Sequence, residues 1–148
     1  MSETITQTNY VIQTTEIENQ GRHRILLHGG PFASFDPKAI RTLLARYLYK
    51  KVKSQPAFIF VYDRPEDLHH PLGFTVAKLV LNAGALKYQI EVRDRTGFEM
   101  PSESDFAAYD AYCKSERESP GASVETDLIQ NAFKFLYYPP VIKMEYTA

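Results

Sequence analysis

Phe74-Thr75-Val76-Ala77-Lys78-Leu79-Val80-Leu81-Asn82-Ala83-Gly84, followed by Ala85 and Leu86-Lys87-Tyr88-Gln89-Ile90-Glu91-Val92-Arg93, is the stretch whose reading decides the fold. From Leu86 onward the pattern is plain. Leu86, Tyr88, Ile90 and Val92 alternate with Lys87, Gln89, Glu91 and Arg93, the period of two that marks a half-exposed strand. The first part, Phe74 to Ala83, is apolar almost all round and stops at Gly84, which fits a short buried helix with glycine just past its end. Its β-branched residues leave open a strand that returns through Asn82-Ala83-Gly84. The lack of a period-two alternation favours the helix.

Upstream, Tyr10 to Ile17 and Arg22 to Leu27 flank Asn19-Gln20-Gly21, which reads as a hairpin with a short glycine-containing turn. A loop from His28 to Phe35 follows. Asp36 is then a natural N-cap and Pro37 a natural first helical residue. Ile40, Leu43, Leu44, Tyr47, Leu48 and Val52 fall at the spacing of one buried helical stripe. Gln55-Pro56 ends that helix, because the residue before proline avoids the α region. Ala57 to Tyr62 is a nearly continuous apolar run, as in a strand covered on both faces. Asp63 to Gly73 is a polar loop with two prolines.

Downstream, Pro101-Ser102-Glu103-Ser104-Asp105 has the capping residues and acidic first turn of a helix start, with Phe106, Tyr109 and Cys113 on one stripe. Ser119-Pro120-Gly121 breaks it. A last helix over Val124 to Tyr137 buries Leu128, Ile129, Ala132, Phe133 and Leu136, Pro139-Pro140 stops it, and Val141 to Tyr146 closes the chain as an edge strand. The fold class expected is α/β: a single domain over residues 10–148 behind a flexible tail of residues 1–9. Its mixed sheet has about five strands, with an N-terminal hairpin, a parallel centre and helices on both faces.

The bulk properties exclude several classes. The 148 residues suit one domain, and a chain of this size can bury roughly 70% of its unfolded surface without metal or disulfide staples. Cys113 is the single cysteine, so no intrachain disulfide can form and no CxxC motif exists. Seventeen basic against eighteen acidic residues give a net charge of −1, which lacks the domain-wide basic footprint of a nucleic-acid binder. Met1 to Asn9 shows neither a basic start nor an apolar core of a secretory signal. No apolar run approaches the ~20 residues a bilayer span needs. These absences point to a cytoplasmic setting.

If Phe74 to Ala83 is helical, Arg22–Val61 and Ala57–Val92 are two strand-helix-strand units with right-handed crossovers, and their three strands run the same way. The loops 28–35, 63–73 and 94–97 then share one rim, where open α/β sheets bind ligands. His28, Gly29, Gly30, Asp63, Arg64, His69 and His70 are the candidate ligand-binding residues there. Gly29-Gly30 before a helix allows backbone N–H groups to approach a phosphate, although neither GxGxxG nor GxxxxGK[ST] is present, and a glycine-permitted turn explains the pair equally. His28, His69 and His70 with Asp63 lack the spacing of a metal set and read better as surface histidines. Cys113 lies on the buried stripe, where cysteine acts as a small hydrophobe. No catalytic residue, metal site or cofactor is assigned.

The first helix carries Lys38, Arg41, Arg46, Tyr49, Lys50 and Lys53 on its outward side, a candidate partner-binding face. Part of that charge complements the helix dipole. The Ser102–Glu118 helix is acidic, so the two helices make a dipolar surface suited to a protein partner or a homodimer. By elimination, the leading reading is a small regulatory or adaptor domain acting through protein contacts without catalysis. Binding of a nucleotide or phosphate ligand at the rim, with or without its hydrolysis, is the alternative. Nucleic-acid binding through the basic helix is a further one.

Overall fold

The computed structural model describes residues 6–7, 10–18, 22–28, 34–48, 57–68, 74–81, 87–121 and 127–147. In chain order the elements are β1 (Thr6–Gln7), β2 (Ile12–Glu18), β3 (Arg22–Leu27), β4 (Ser34–Phe35), α1 (Pro37–Tyr47), β5 (Ala57–Tyr62), β6 (Ala77–Leu81), β7 (Lys87–Arg93), α2 (Glu103–Glu118), α3 (Asp127–Tyr137) and β8 (Val141–Thr147). The fold is α/β, with one mixed six-stranded sheet in the order β2-β3-β5-β6-β7-β8. β1 and β4 form a separate parallel pair. The expected turn at residues 19–21, the Asn82–Gly84 stop, Val52 and residues 124–126 lie outside the described residues.

The strand beyond the expected five is β6, and here the helical reading of Phe74 to Ala83 is corrected. Ala77, Leu79 and Leu81 are buried while Lys78 and Val80 are only half-buried. The alternation is real but hidden, because Val80 leaves Lys78 as the sole polar residue on the outer face. β6 pairs antiparallel with both β5 and β7, so the second strand-helix-strand unit is an antiparallel meander. Among the described strands of the six-stranded sheet, only β3 and β5 are parallel neighbours.

The shared rim nonetheless survives. Two reversals, β5 to β6 and β6 to β7, return β7 to the direction of β5, so β3, β5 and β7 all finish at one sheet end. β6 and β8 begin at that end: Arg93 N–H donates to Val76 C=O and Asp94 N–H to Pro140 C=O, each at 2.8 Å.

α1 covers one face. Pro37 stands in its first turn and the Asp36 carboxylate accepts from Lys38 N–H at 3.0 Å. Ile40, Leu44 and Tyr47 then pack on the inward residues of the central strands, among them Ile25, Ile59 and Leu79. The α2–α3 pair has its own aromatic core, with Tyr109 edge-on to Phe133 at 5.0 Å between ring centroids. It reaches the sheet end from the Tyr62 side, through the Arg64 contacts described below.

Tyr62, Leu26 and Leu68 form a small cluster on the face opposite α1. The expectation that β5 is covered on both faces fails beyond this cluster. Phe58, near the start of the strand, is 44% exposed.

Candidate functional site

The rim is a built feature, held by two arginine knots. Asp63 follows the last residue of β5, and Arg95 stands two residues past β7. Arg95 Nη1 donates to Asp63 Oδ2 at 2.7 Å and Nη2 to the Thr75 carbonyl at 2.9 Å, while Thr75 Oγ1 donates to Asp63 Oδ1 at 3.2 Å. The guanidinium lies between two rings, 4.6 Å from the Phe35 centroid and 4.5 Å from that of Phe135. A planar, weakly hydrated cation suits such a slot better than an ammonium would.

Arg64 makes the second knot. Its Nη2 donates to both carboxylate oxygens of Asp110 at 2.8 and 2.7 Å, and its Nη1 to Asp67 at 3.2 and 3.4 Å. The same group lies 4.3 Å from the Phe106 ring centroid. Asp110 therefore takes the better share of the charge. Burial wins over the Arg64 charge at Asp67 and pushes its carboxyl up to about 7. Burial likewise raises the Tyr109 and Tyr137 hydroxyls and pushes the Cys113 thiol up to about 11. A thiol so raised is protonated near neutral pH and is a poor nucleophile.

Asp63 and Arg64 are thus brought together at the rim, but with their charged ends turned into internal ion pairs. His28 is exposed at the end of β3, its N–H bonded to the Val11 carbonyl at 2.8 Å. Gly29, Gly30, His69 and His70 lie outside the described residues. Lys38, Arg41 and Arg46 are exposed on α1. Tyr49, Lys50 and Lys53 again lie outside the described residues.

Beside the Arg95 knot, a cleft of about 450 Å³ opens between residues 97–102 and α3, lined also by Asp105, Asn131 and Lys134. Gly97 turns the chain there with φ of 85°. The buried Asp105 already serves the α2 N-terminus, its Oδ2 accepting from Ser102 N–H at 3.1 Å and its own N–H donating to Ser102 Oγ at 3.2 Å. Among the described residues, no three His, Cys, Asp or Glu side chains are grouped to hold a metal ion, and no helix is long and apolar enough to cross a membrane.

Composition alone does not point to the open sheet face. Along it, Arg22 of β3 stands opposite Phe58 and Phe58 opposite Val80; one row on, Arg24 stands opposite Phe60 and Phe60 opposite Lys78. The Arg22 guanidinium is 5.8 Å from the Phe60 ring centroid, and Arg24 donates to the Tyr62 hydroxyl at 2.8 Å. The alternation within Ala57 to Tyr62 is the available signal, but three aromatics on the outer side make the run look buried throughout. No family model, curated protein or solved structure matches the chain.

Proposed function

We propose that the chain is a non-catalytic docking domain whose partner is a protein segment seated on the open sheet face. The observation that carries this is Phe58, a large apolar ring left 44% exposed on an interior strand with Arg22 opposite it on β3. A contiguous apolar patch within a polar surround marks an interaction site; Phe58 adjoins the half-buried Phe60 and Val80 on the same face, and aromatics with arginine are the residues that dominate interface energies. The partner chemistry follows from the charge: an aromatic or aliphatic side chain to cover Phe58, with a carboxylate beside it to meet the exposed Arg22 guanidinium. The rim supports a structural role, since Asp63 and Arg64 spend their charges on Arg95, Asp67 and Asp110.

A displayed library of random peptides provides the test. Enrichment of sequences with an aromatic next to Asp or Glu, lost in Phe58→Ser and in Arg22→Glu, is the expected result. No enrichment, or binding of a fluorescent single-stranded oligonucleotide in its place, overturns the reading.

A further inference from the structure

The two edges of the sheet are finished differently. At β2 the pairing with β3 shifts between Ile12 and Thr14, a bulge of the kind that twists an edge away from further pairing. At the other edge β8 runs without irregularity, every residue from Val141 to Thr147 in register with β7. Among the described residues no strand pairs with its outer side. A long regular edge presents a row of backbone donors and acceptors that templates another strand.

The side chains of β8 specify which strand fits. Lys143 and Glu145 are exposed and two residues apart, so they share the face opposite α1. From the geometry we infer that β8 pairs antiparallel with β8 of a second copy, about a two-fold axis at Met144. This register sets Lys143 opposite the second copy's Glu145 and Glu145 opposite its Lys143. Moving the axis to position 143 would oppose lysine to lysine, and moving it to 145 would oppose glutamate to glutamate. Among registers that keep each face of the sheet continuous, charge therefore selects the one centred on Met144.

The pairing also extends patterns present within one chain. Lys78 and Glu91 form an ion pair at 2.9 Å, and Lys143 is next to Glu91 in the register, so the second copy's Glu145 continues an alternating row. On the α1 face Met144 is partly buried against the core, and the axis brings it to its own counterpart. The resulting contact is isologous and closes at two copies, and it leaves the Phe58 face free, so it does not depend on what binds there.

Sedimentation velocity of the full chain and of Lys143→Glu and Glu145→Lys tests this. The wild-type chain is expected at twice its own mass, and each variant alone at the monomer mass, with a dissociation constant at least tenfold weaker. An equimolar mixture of the two variants is expected to regain the dimer, because one variant then lines its edge with two carboxylates and the other with two ammonium groups. The mixture also separates lost pairing from lost folding, since only folded chains can re-pair. A monomeric wild-type chain, variants that still dimerise alone, or a mixture that stays monomeric while both variants keep the wild-type far-ultraviolet dichroism would each overturn the inference.

Discussion

Arg95 and Asp63 meet at 2.7 Å with neither side chain exposed to solvent. They join the ends of two strands that are not neighbours in the sheet, since β6 lies between β5 and β7. A buried pair of this kind owes its existence to geometry: charge removed from water is tolerated only when the two partners are well matched and further hydrogen bonds support them. Thr75 provides part of that support, accepting from Arg95 through its carbonyl and donating to Asp63 through its hydroxyl.

Breaking this pair from one side should be severe. Arg95→Met leaves the Asp63 carboxylate buried and unmatched, with an expected loss of about 3–5 kcal/mol. The double variant Asp63→Leu, Arg95→Met should lose less than Arg95→Met alone, because no orphaned charge remains. Urea unfolding of the three chains checks this, and a double variant less stable than the single would contradict it.

Asp67 should impose a slope in the weakly acidic range. Burial lifts its folded pKa to about 7, against ~3.9 in an unfolded chain, so the folded state binds the proton more tightly. That stabilisation is complete below pH ~4 and is lost as pH rises towards 7. At about 1.4 kcal/mol per unit, the change is of the order of 4 kcal/mol. Asp67→Asn should remove this component from urea midpoints measured at successive pH values; an unchanged slope would refute it.

His23 should act with the opposite sign. Its Nδ1 is hydrogen-bonded to the Tyr47 hydroxyl at 2.7 Å, and burial lowers its pKa from the usual histidine value. The unfolded chain then binds the extra proton first, so stability is lost as pH falls below ~6.5. His23→Gln should lessen that acid-side loss in thermal melts between neutral and mildly acidic buffer, and an identical pH dependence would count against it.

The neighbours Phe58 and Ile59 should separate sharply. Phe58→Ser removes a ring that is 44% exposed and, with about half of its burial to lose, is expected to cost about 1 kcal/mol. Ile59→Ala removes a wholly buried side chain and should cost about 2–5 kcal/mol. Equal effects in denaturant titrations would mean that Phe58 is covered in the free protein.

Much of the architecture is legible in the chain itself. The stripe from Ile40 to Leu48, the Asp36-Pro37 start and the Ser102–Asp105 cap state their structure locally, because caps and helical periodicity involve only near neighbours. β6 is different. Whether Ala77 to Leu81 is helical or extended depends on β5 and β7 on either side, and Val80 conceals the one alternation that would show it. The rim is inferred through a crossover helix that does not exist, and it survives because a meander also restores direction. Asp63, Arg64 and Arg95 can be assigned to that rim, but whether they face a ligand or each other depends on Asp110, Asp67 and Phe135, several of them far away in sequence.

Arg95 takes one contact from Phe35 and another from Phe135, with Asp63 and Thr75 between. A nascent chain cannot finish this end of the sheet until α3 has left the ribosome, whatever its earlier hairpins have achieved. Loops of that span must close before the contact rewards them, which slows folding. This end of the sheet is therefore among the most long-range parts of the fold, and loss of the C-terminal helix should undo a structure built from the first two-thirds of the protein.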